Sequence, residues 1–380
     1  MHRLLPPLLA LLVATTASAE GFHALGLPGS QLAALSADGR TGVGGVIGAA
    51  SGGFRWHEGA APQWLERAVS VRAVSASGRY AAGSSLDAQQ REVATWWDAA
   101  GASHALGGLT GAEAIAGVLS AAWGIDDDAQ VVGIGANGGD TVAVRWSARS
   151  GWQVLDAAPG AAIGISNDGR RVYGWIAPAG EAHHAAMWSD GRSWRARTVA
   201  GARDDELVGA NRAATIVLGA IVDSNLEIGA YRWIPPSGAV ERLASAVRFT
   251  ASSDDGGVLV GFAGSGAQRV AMIRTRDRGV ERLRDLLASR AIDVPSGWSL
   301  LAATAVSAEG GRVGGFGLVD GQFDSFVIDL GNAPATPSDG RPGDRHARPV
   351  PALREPRVAE APASSTDGAP APPSHLEATP

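Results

Sequence analysis

A short polar turn followed by an apolar run ending in glycine recurs along this chain and limits the folds open to it. The copies are LSADGRTGVGG (35 to 45), VSASGRYAAGS (74 to 84), IDDDAQVVGI (125 to 134), ISNDGRRVYGW (165 to 175), ANRAATIVLGA (210 to 220), SSDDGGVLVGF (252 to 262) and VSAEGGRVGGF (306 to 316). The spacing is about 45 residues, and a repeat of that length indicates units that stack on one another.

Two further elements recur with the turn. One ends in tryptophan, at Trp56, Trp97, Trp146, Trp188 and Trp233, and decays around Ile273 and Ile328. The other is a short segment such as FHALGL (22 to 27), HALGGL (104 to 109) or VERLRDLL (280 to 287). We interpret each unit as four short strands, because Asp-Gly between apolar runs is a strong hairpin signal and about 45 residues is the length of a β-propeller blade.

The order of these elements predicts how the fold closes. The first copy of the fourth strand precedes every other strand, so the folded region, residues 20–331, begins with strand four and ends with strand three. We therefore predict an all-β, seven-bladed β-propeller of four-stranded blades, with the N-terminal strand completing the last blade. Such closure would remove the free edges that promote aggregation.

The recurring motif resembles the HAF repeat, a probable extracellular repeat of exported bacterial proteins. HAAMW (184 to 188) and HALGGL (104 to 109) carry the likeness most clearly. The fifth copy departs from it, with Asn211-Arg212-Ala213 in place of Asp-Gly. The resemblance implies export and a propeller-like all-β fold, and it supplies no catalytic residues.

The two ends of the chain differ from the repeats. Residues 1–19 combine Arg3, an apolar run and Ala17-Ser18-Ala19, which is typical of a signal peptide and predicts a secreted or periplasmic protein with no membrane span. Residues 332–380 are rich in Pro and Ala, and we expect a disordered tail. The chain has no cysteine and a net charge of −6, so disulfides, thiol chemistry and nucleic-acid binding are not expected. We expect a monomer.

The turn acids and the histidine pair are the obvious candidates for metal or acid–base chemistry. The acid clusters lack the alternating ligand spacing of a calcium loop and coincide with the hairpin turn, so we interpret Asp168 as a turn residue. His183 and His184 are adjacent, and neighbouring residues on a strand face opposite sides, so they cannot hold one metal together. We predict no catalytic residue, no metal and no cofactor.

Topology instead points to one end of the strands. In an up-and-down meander, connections one–two and three–four emerge at one end, and connections two–three and four–one at the other. The second set varies in length and carries the irregular polar residues, and binding residues favour variable loops on a rigid scaffold. We call this end the variable-loop face and predict binding residues there: Asp87, Arg91, Asp140, Glu181, His183 and Asp223.

Three functions remain open at this point. The first is a non-enzymatic binding scaffold for an unidentified protein or glycan. The second is a propeller-type polysaccharide hydrolase or lyase, which would need two carboxylates roughly 5 to 9.5 Å apart for glycosidic cleavage. The third is a passenger or envelope-stalk module in which the tail acts as a spacer.

Overall fold

The computed structural model describes residues 21–48, 52–189, 192–195, 202–223, 228–235 and 238–331. The segments assigned above to a signal peptide and a tail lie outside these residues. The described chain is all-β, as predicted, apart from one short α-helix and one 3-10 turn. None of its helices is long and apolar enough to cross a membrane.

The strands are numbered β1 to β27 in chain order. They are Gly21–Ala24, Ser30–Leu35, Thr41–Val46, Gly52–His57, Gln63–Leu65, Ala68–Val74, Ala81–Leu86, Glu92–Trp97, Ser103–Ala105, Ser120–Ile125, Val131–Asn137, Asp140–Ser147, Gly151–Ile165, Arg171–Ile176, His184–Ser189, Arg192–Arg195, Ala202–Ala210, Val217–Asp223, Ile228–Ile234, Ala239–Ser245, Val247–Ser252, Val258–Ala263, Val270–Thr275, Gly279–Arg282, Trp298–Val306, Arg312–Val319 and Gln322–Asp329. The 3-10 turn is Gly266–Gln268, and helix α1 is Leu283–Ser289.

The strands form antiparallel meanders. Five sheets have four strands: β2–β5, β6–β9, β17–β20, β21–β24, and a sheet in the order β1-β27-β26-β25. In the last of these the N-terminal strand lies beside the last strand, with Gly21 opposite Asp329 and Ala24 opposite Phe326.

The sixth sheet differs from the predicted separate blades, because β10 to β16 form one seven-stranded sheet. Its middle strand β13 is continuous, whereas the sequence predicted a fourth strand near Trp152 and a new first strand near Ile163. The first half of β13 pairs with β12, and the second half, from Gly160, pairs with β14. The continuity has a local cause, since Pro159 still pairs with Val142 of β12 and leaves no gap between the two halves.

A second difference lies in the segment VERLRDLL, which the sequence analysis assigned to a fourth strand. Only Gly279–Arg282 is strand, and α1 follows at once. Leu283, Leu286 and Leu287 are fully buried. Their i, i+3, i+4 spacing places them on one helical face, so burying that face favours a helix over continued pairing.

The recurring turn is stabilised by one buried polar side chain in every copy. The seven residues are Ser36, Ser75, Asp126, Ser166, Asn211, Ser253 and Ser307, and each is at most 4% exposed. Each accepts a backbone N–H four or five residues onward, as Ser166 Oγ does from Arg171 N at 3.0 Å. The side chain thus satisfies a donor at the start of the second strand that would otherwise be buried unpaired.

The turns of different sheets are hydrogen-bonded to one another. The bonds run from Ala37 N to Ala76 O, Ser77 N to Asp127 Oδ1, Asn167 N to Arg212 O, Arg212 N to Asp254 Oδ1, Asp254 N to Ala308 O and Ala308 N to Ala37 O, at 2.8 to 3.3 Å. Asp168 accepts from Ser166 Oγ and Arg170 N within its own turn. These contacts explain why the motif recurs, since each turn connects the two strands of a hairpin and also forms a hydrogen bond with the turn of a neighbouring sheet.

Every first strand also carries a β-bulge at the same register. The residue inside the bulge is Ala33, Arg72, Trp123, Ile163, Val208, Thr250 or Thr304. The recurring glycine of the second strand lies opposite the bulge, where the backbones approach closely. A Cβ on Gly83, for example, would lie 2.0 Å from Ser70 O, and one on Gly133 would lie 1.9 Å from Ala121 O. The glycine is therefore required by the bulge, whose usual effect is to re-aim one side chain.

The apolar core lies between neighbouring sheets. Leu32 and Phe54 pack with Ala305 and Val327 of the sheet that contains β1 and β27. The first strands contact each other in the order β2, β6, β10, β13, β17, β21 and β25, and β25 contacts β2. Burial of each large side chain contributes roughly 1.5–3 kcal/mol, so these interfaces provide the main stabilising term.

The turn glycines give a test of the inter-sheet contact. Gly310 has φ +78°, and a Cβ there would lie 2.7 Å from Val258 Cγ2 of the adjacent sheet. Gly321 has φ +81° with open space around it. Gly321→Ala should cost about 1–2 kcal/mol through left-handed strain alone. Gly310→Ala should cost a further ~1–3 kcal/mol from overpacking, measured by chemical denaturation. Equal losses in the two variants would contradict a tight contact at Gly310.

Candidate functional site

The six predicted binding residues all lie at two–three connections, at the same end of their strands. Asp87 and Arg91 join β7 to β8, Asp140 begins β12, Glu181 and His183 precede β15, and Asp223 ends β18. The structure does not bring all six together. It distributes them over three sheets and gives them different surroundings.

Asp87 and Arg91 form a local pair. Asp87 Oδ1 accepts the backbone N–H groups of Gln89 and Arg91, and Arg91 Nε donates to Asp87 Oδ2, each at 2.9 Å. These bonds, first among them the backbone bond from Arg91, lower the pKa of Asp87. The pair therefore holds the β7–β8 loop in shape, and most of the carboxylate's hydrogen-bonding capacity is used there.

Asp140 and Asp223 have simpler surroundings. Asp140 is exposed at a hairpin end where Gly138 and Gly139 both have positive φ. Asp223 pairs with Ala202 through the backbone, and its side chain lies outside the described residues.

Glu181 and His183 belong to a group that the sequence analysis identified only in part. We define the histidine–aspartate cluster as Glu181, His183, His184, Asp204 and Asp205. The start of β15 meets β17 here, because Asp205 N–H donates to His183 O and Ala185 N–H donates to Asp205 Oδ1, both at 3.1 Å.

Within the cluster the two histidines face different partners. His183 stacks on Trp175, with ring centroids 4.2 Å apart and an interplanar angle of 18°, and its Nδ1 lies 3.8 Å from Asp204 Oδ1. His184 Nε2 lies 2.9 Å from Glu181 Oε2, and its Nδ1 lies 3.9 Å from Asp205 Oδ1. The opposite orientations follow from strand alternation.

Burial distinguishes the two aspartates. Asp205 is 3% exposed, and this burial raises its pKa, although the bond from Ala185 N–H and the nearby His184 act in the other direction. The hydroxyl of Tyr231 is buried with no hydrogen-bond partner among the described residues, and burial, followed by the charges of Asp205 and Glu206, raises its pKa strongly. Asp204 is 40% exposed. The outer part of the cluster can therefore contact a ligand while Asp205 positions it from below.

The cluster can supply acceptors and proton-exchanging groups, but no metal cage is visible. Among the described residues no group of three or more His, Asp or Glu side chains is placed to hold a metal ion. Three carboxylates and two imidazoles suit a ligand that donates hydrogen bonds or carries positive charge.

His184, Asp204, Asp205 and Trp175 were missed for an identifiable reason. His184 was assigned to the repeat pattern. The run Asp204-Asp205-Glu206 precedes the most altered copy of the motif, so its strand was not recognised. The signal in the sequence that could have revealed these aspartates is this acidic run, which lies within the first strand of its sheet.

One cavity lies away from the variable-loop face. It has a volume of about 230 Å³ and is lined by His23, Trp56, Glu58, Arg312 and Asp329, among others. Arg312 NH2 lies 2.8 Å from Glu58 Oε1 and 3.3 Å from Asp329 Oδ2. Because these charges pair with one another across two sheets, we assign this cavity to the joint between sheets.

The buried carboxylate gives a pH test. Because burial raises the pKa of Asp205, the folded state holds its proton more tightly than the unfolded state, and ionisation costs stability as pH rises from the ordinary aspartate pKa of about 3.9. Asp205→Asn keeps an acceptor for Ala185 N–H and cannot ionise. Its free energy of unfolding relative to wild type should therefore increase between pH 4 and pH 7.

Asp205→Ala is the matched control for this measurement. It leaves the Ala185 N–H unsatisfied and, because it also cannot ionise, should be less stable than Asp205→Asn by roughly 1–3 kcal/mol at every pH. A difference between the Asn variant and wild type that stays constant with pH would contradict the assignment.

Comparison with known proteins identifies the fold and no closer relationship. No family model and no curated protein matches the sequence. Among solved structures, an oligogalacturonate lyase in complex with manganese matches with a TM-score of 0.54 and 11% identity, covering 78% of this chain and 88% of that one. The β-propeller domain of the Trilobed protease from Pyrococcus furiosus matches with a TM-score of 0.52 and 10% identity, covering 79% and 95%.

A third match is TolB from Acinetobacter baumannii, with a TM-score of 0.42 and 15% identity. The match covers 67% of this chain and 65% of the length of that protein. The two matches above a TM-score of 0.5 show that the fold is of the β-propeller kind. At 10–11% identity they show nothing about activity.

Proposed function

We propose that the strands form a closed seven-bladed propeller, with the N-terminal strand completing the last blade. Support comes from the cyclic order of first-strand contacts, from the pairing of β1 with β27, and from the seven bulges at one register. Dividing β13 at Pro159 gives two four-stranded units within the seven-stranded sheet. The likeness to propeller domains agrees with this arrangement.

On that scaffold, we infer that the protein is exported and binds a protein or glycan partner through the variable-loop face. The observation that carries the proposal is the histidine–aspartate cluster, which gathers three carboxylates and two imidazoles where two sheets meet. Export rests on the signal-peptide pattern of residues 1–19.

The chemistry of the cluster favours particular partner groups. Half-exposed Asp204 and His183 offer hydrogen-bonding atoms at the surface, and Trp175 beside them offers an aromatic edge. Sugar hydroxyls, or the lysine and arginine side chains of a protein, would supply the matching donors. The rigid strands below reduce the entropy lost when such groups bind.

A second candidate function is a polysaccharide hydrolase or lyase. The observation favouring it is His184, which lies between Glu181 at 2.9 Å and buried Asp205 at 3.9 Å. A carboxylate on each side of an imidazole can fix its orientation and raise its basicity, as a general base requires. One neighbour in fold is an oligogalacturonate lyase.

Binding can be tested on a glycan array and by pull-down from envelope and culture-medium fractions. Glu181→Gln combined with His183→Ala should weaken binding at least about tenfold, a loss of roughly 1.4 kcal/mol. Glu309→Gln is the matched control, because Glu309 is exposed in a one–two turn at the opposite end of the strands. Equal binding by the cluster variant and the control would contradict the proposed face.

The same preparations separate the remaining alternatives. Turnover of a polysaccharide by wild type that is lost in His184→Ala would establish the enzyme instead. The pull-down is repeated with a chain ending at residue 331. A partner retained only by chains that carry residues 332–380 would transfer the binding function to that segment.

A further inference from the structure

Seven side chains at one register are directed by bulges toward a common space. Each residue before the bulge is buried: Leu32, Val71, Ala122, Ala162, Leu207, Phe249 and Ala303. The bulged residues themselves are all partly or largely exposed: Ala33, Arg72, Trp123, Ile163, Val208, Thr250 and Thr304. A bulge turns its residue out of the sheet. Because the first strands contact in a cycle, these seven residues line one space along the axis.

Contacts between neighbouring members support this placement. The Arg72 guanidinium lies over the Trp123 ring, 5.5 Å from its centroid, although the two residues belong to different sheets. Thr304 Oγ1 donates to Leu32 O of the next sheet at 2.7 Å. The bulged side chains of Arg72 and Thr304 therefore reach the first strand of the neighbouring sheet, as residues lining a channel do.

The end of this channel nearest the one–two turns is occupied by Arg212. Its NH2 donates to Ser36 O at 3.0 Å and to Val306 O at 3.1 Å, which belong to two other sheets. Asp254 Oδ1 lies 3.6 Å from its NH1. Arg212 lies in the turn of the altered fifth copy of the motif. From that turn its side chain extends across the axis. A ligand would therefore enter from the variable-loop face.

Among the seven bulged residues Arg72 carries a positive charge, and that charge is not neutralised by an ion pair with a described residue. Within the described part of the chain no carboxylate lies within ion-pair distance of it, although the charge of Glu92 acts on it from further away. Nearby protein atoms desolvate the guanidinium, and this desolvation lowers the pKa of Arg72. An arginine held against an aromatic ring and left unpaired is suited to a planar anion.

The surroundings of Arg72 define the rest of such a ligand. Ile163 and Val208 supply apolar surface on other first strands. The lining thus combines one cation, one aromatic ring and two aliphatic side chains.

We infer that the axial channel binds a small carboxylate, with its charged group at Arg72 and its less polar body against Trp123, Ile163 and Val208. This site is separate from the histidine–aspartate cluster, and it rests on the ring arrangement proposed above. A bidentate bond from the guanidinium would fix the carboxylate, while the remaining walls would select the body attached to it.

Titration calorimetry with matched pairs of small molecules tests the inference. Galacturonate is compared with galactose, and phenylacetate with 2-phenylethanol, so that each acid has a neutral counterpart. Wild type should bind at least one acid about tenfold or more tightly than its counterpart. The acid that binds identifies the source of the carboxylate as a sugar acid or an aromatic acid.

Variants then locate the site. Arg72→Gln should weaken acid binding about tenfold or more, and Arg72→Lys, which keeps the charge without the fork, should weaken it less. Arg79→Gln is the matched control, because Arg79 also lies over an aromatic ring, 5.2 Å from the Tyr80 centroid, but in a one–two turn of the same sheet. If Arg72→Gln does not fold, the lysine variant and Trp123→Phe are compared with Arg79→Gln instead.

Two results would overturn the inference. One is equal affinity of wild type for both members of each pair, and the other is equal effects at Arg72 and Arg79. The cluster variants Glu181→Gln and His183→Ala should leave acid binding unchanged. Failure at Arg72 with intact partner binding would therefore remove the channel site alone, and the reverse pattern would remove the proposed face alone.

Discussion

One buried polar side chain in each turn determines most of this architecture. Ser166 illustrates it, since its hydroxyl donates to Asp168 and accepts from Arg171 N–H while the residue is fully buried. A buried donor without a partner costs about 1–3 kcal/mol, so the turn cannot form well without such a residue. The compact turn that results is small enough to hydrogen-bond to the turn of the next sheet.

The glycine and the bulge are consequences of the same tight geometry at the axis. First strands that crowd together need room, and the second strand provides it by having glycine beside the bulge, as Gly174 does opposite Ala162. What looks in sequence like a repeated scaffold element is thus also the device that re-aims one side chain in each first strand. Scaffold positions recur, while the bulged positions vary from alanine to threonine, arginine and tryptophan.

Sequence reasoning recovered the features that depend on local chemistry. The turn role of Asp168 and Gly169, the meander order and the opposed orientations of His183 and His184 all follow from short-range rules. It failed where long-range packing decides. The helix at Leu283 depends on burial of one face against β23 and β25, and the continuity of β13 depends on pairing with Val142. Asp205 acquires its role only because β15 and β17 meet.

The pairing of β1 with β27 also governs how the described chain can begin to unravel. Gly21 lies opposite Asp329, so the first and last strands hold each other in one sheet. In most chains an end frays on its own, at little free-energy cost. Here neither of these two strands can fray without breaking hydrogen bonds to the other, so unfolding of the sheets has no easy starting point at either strand.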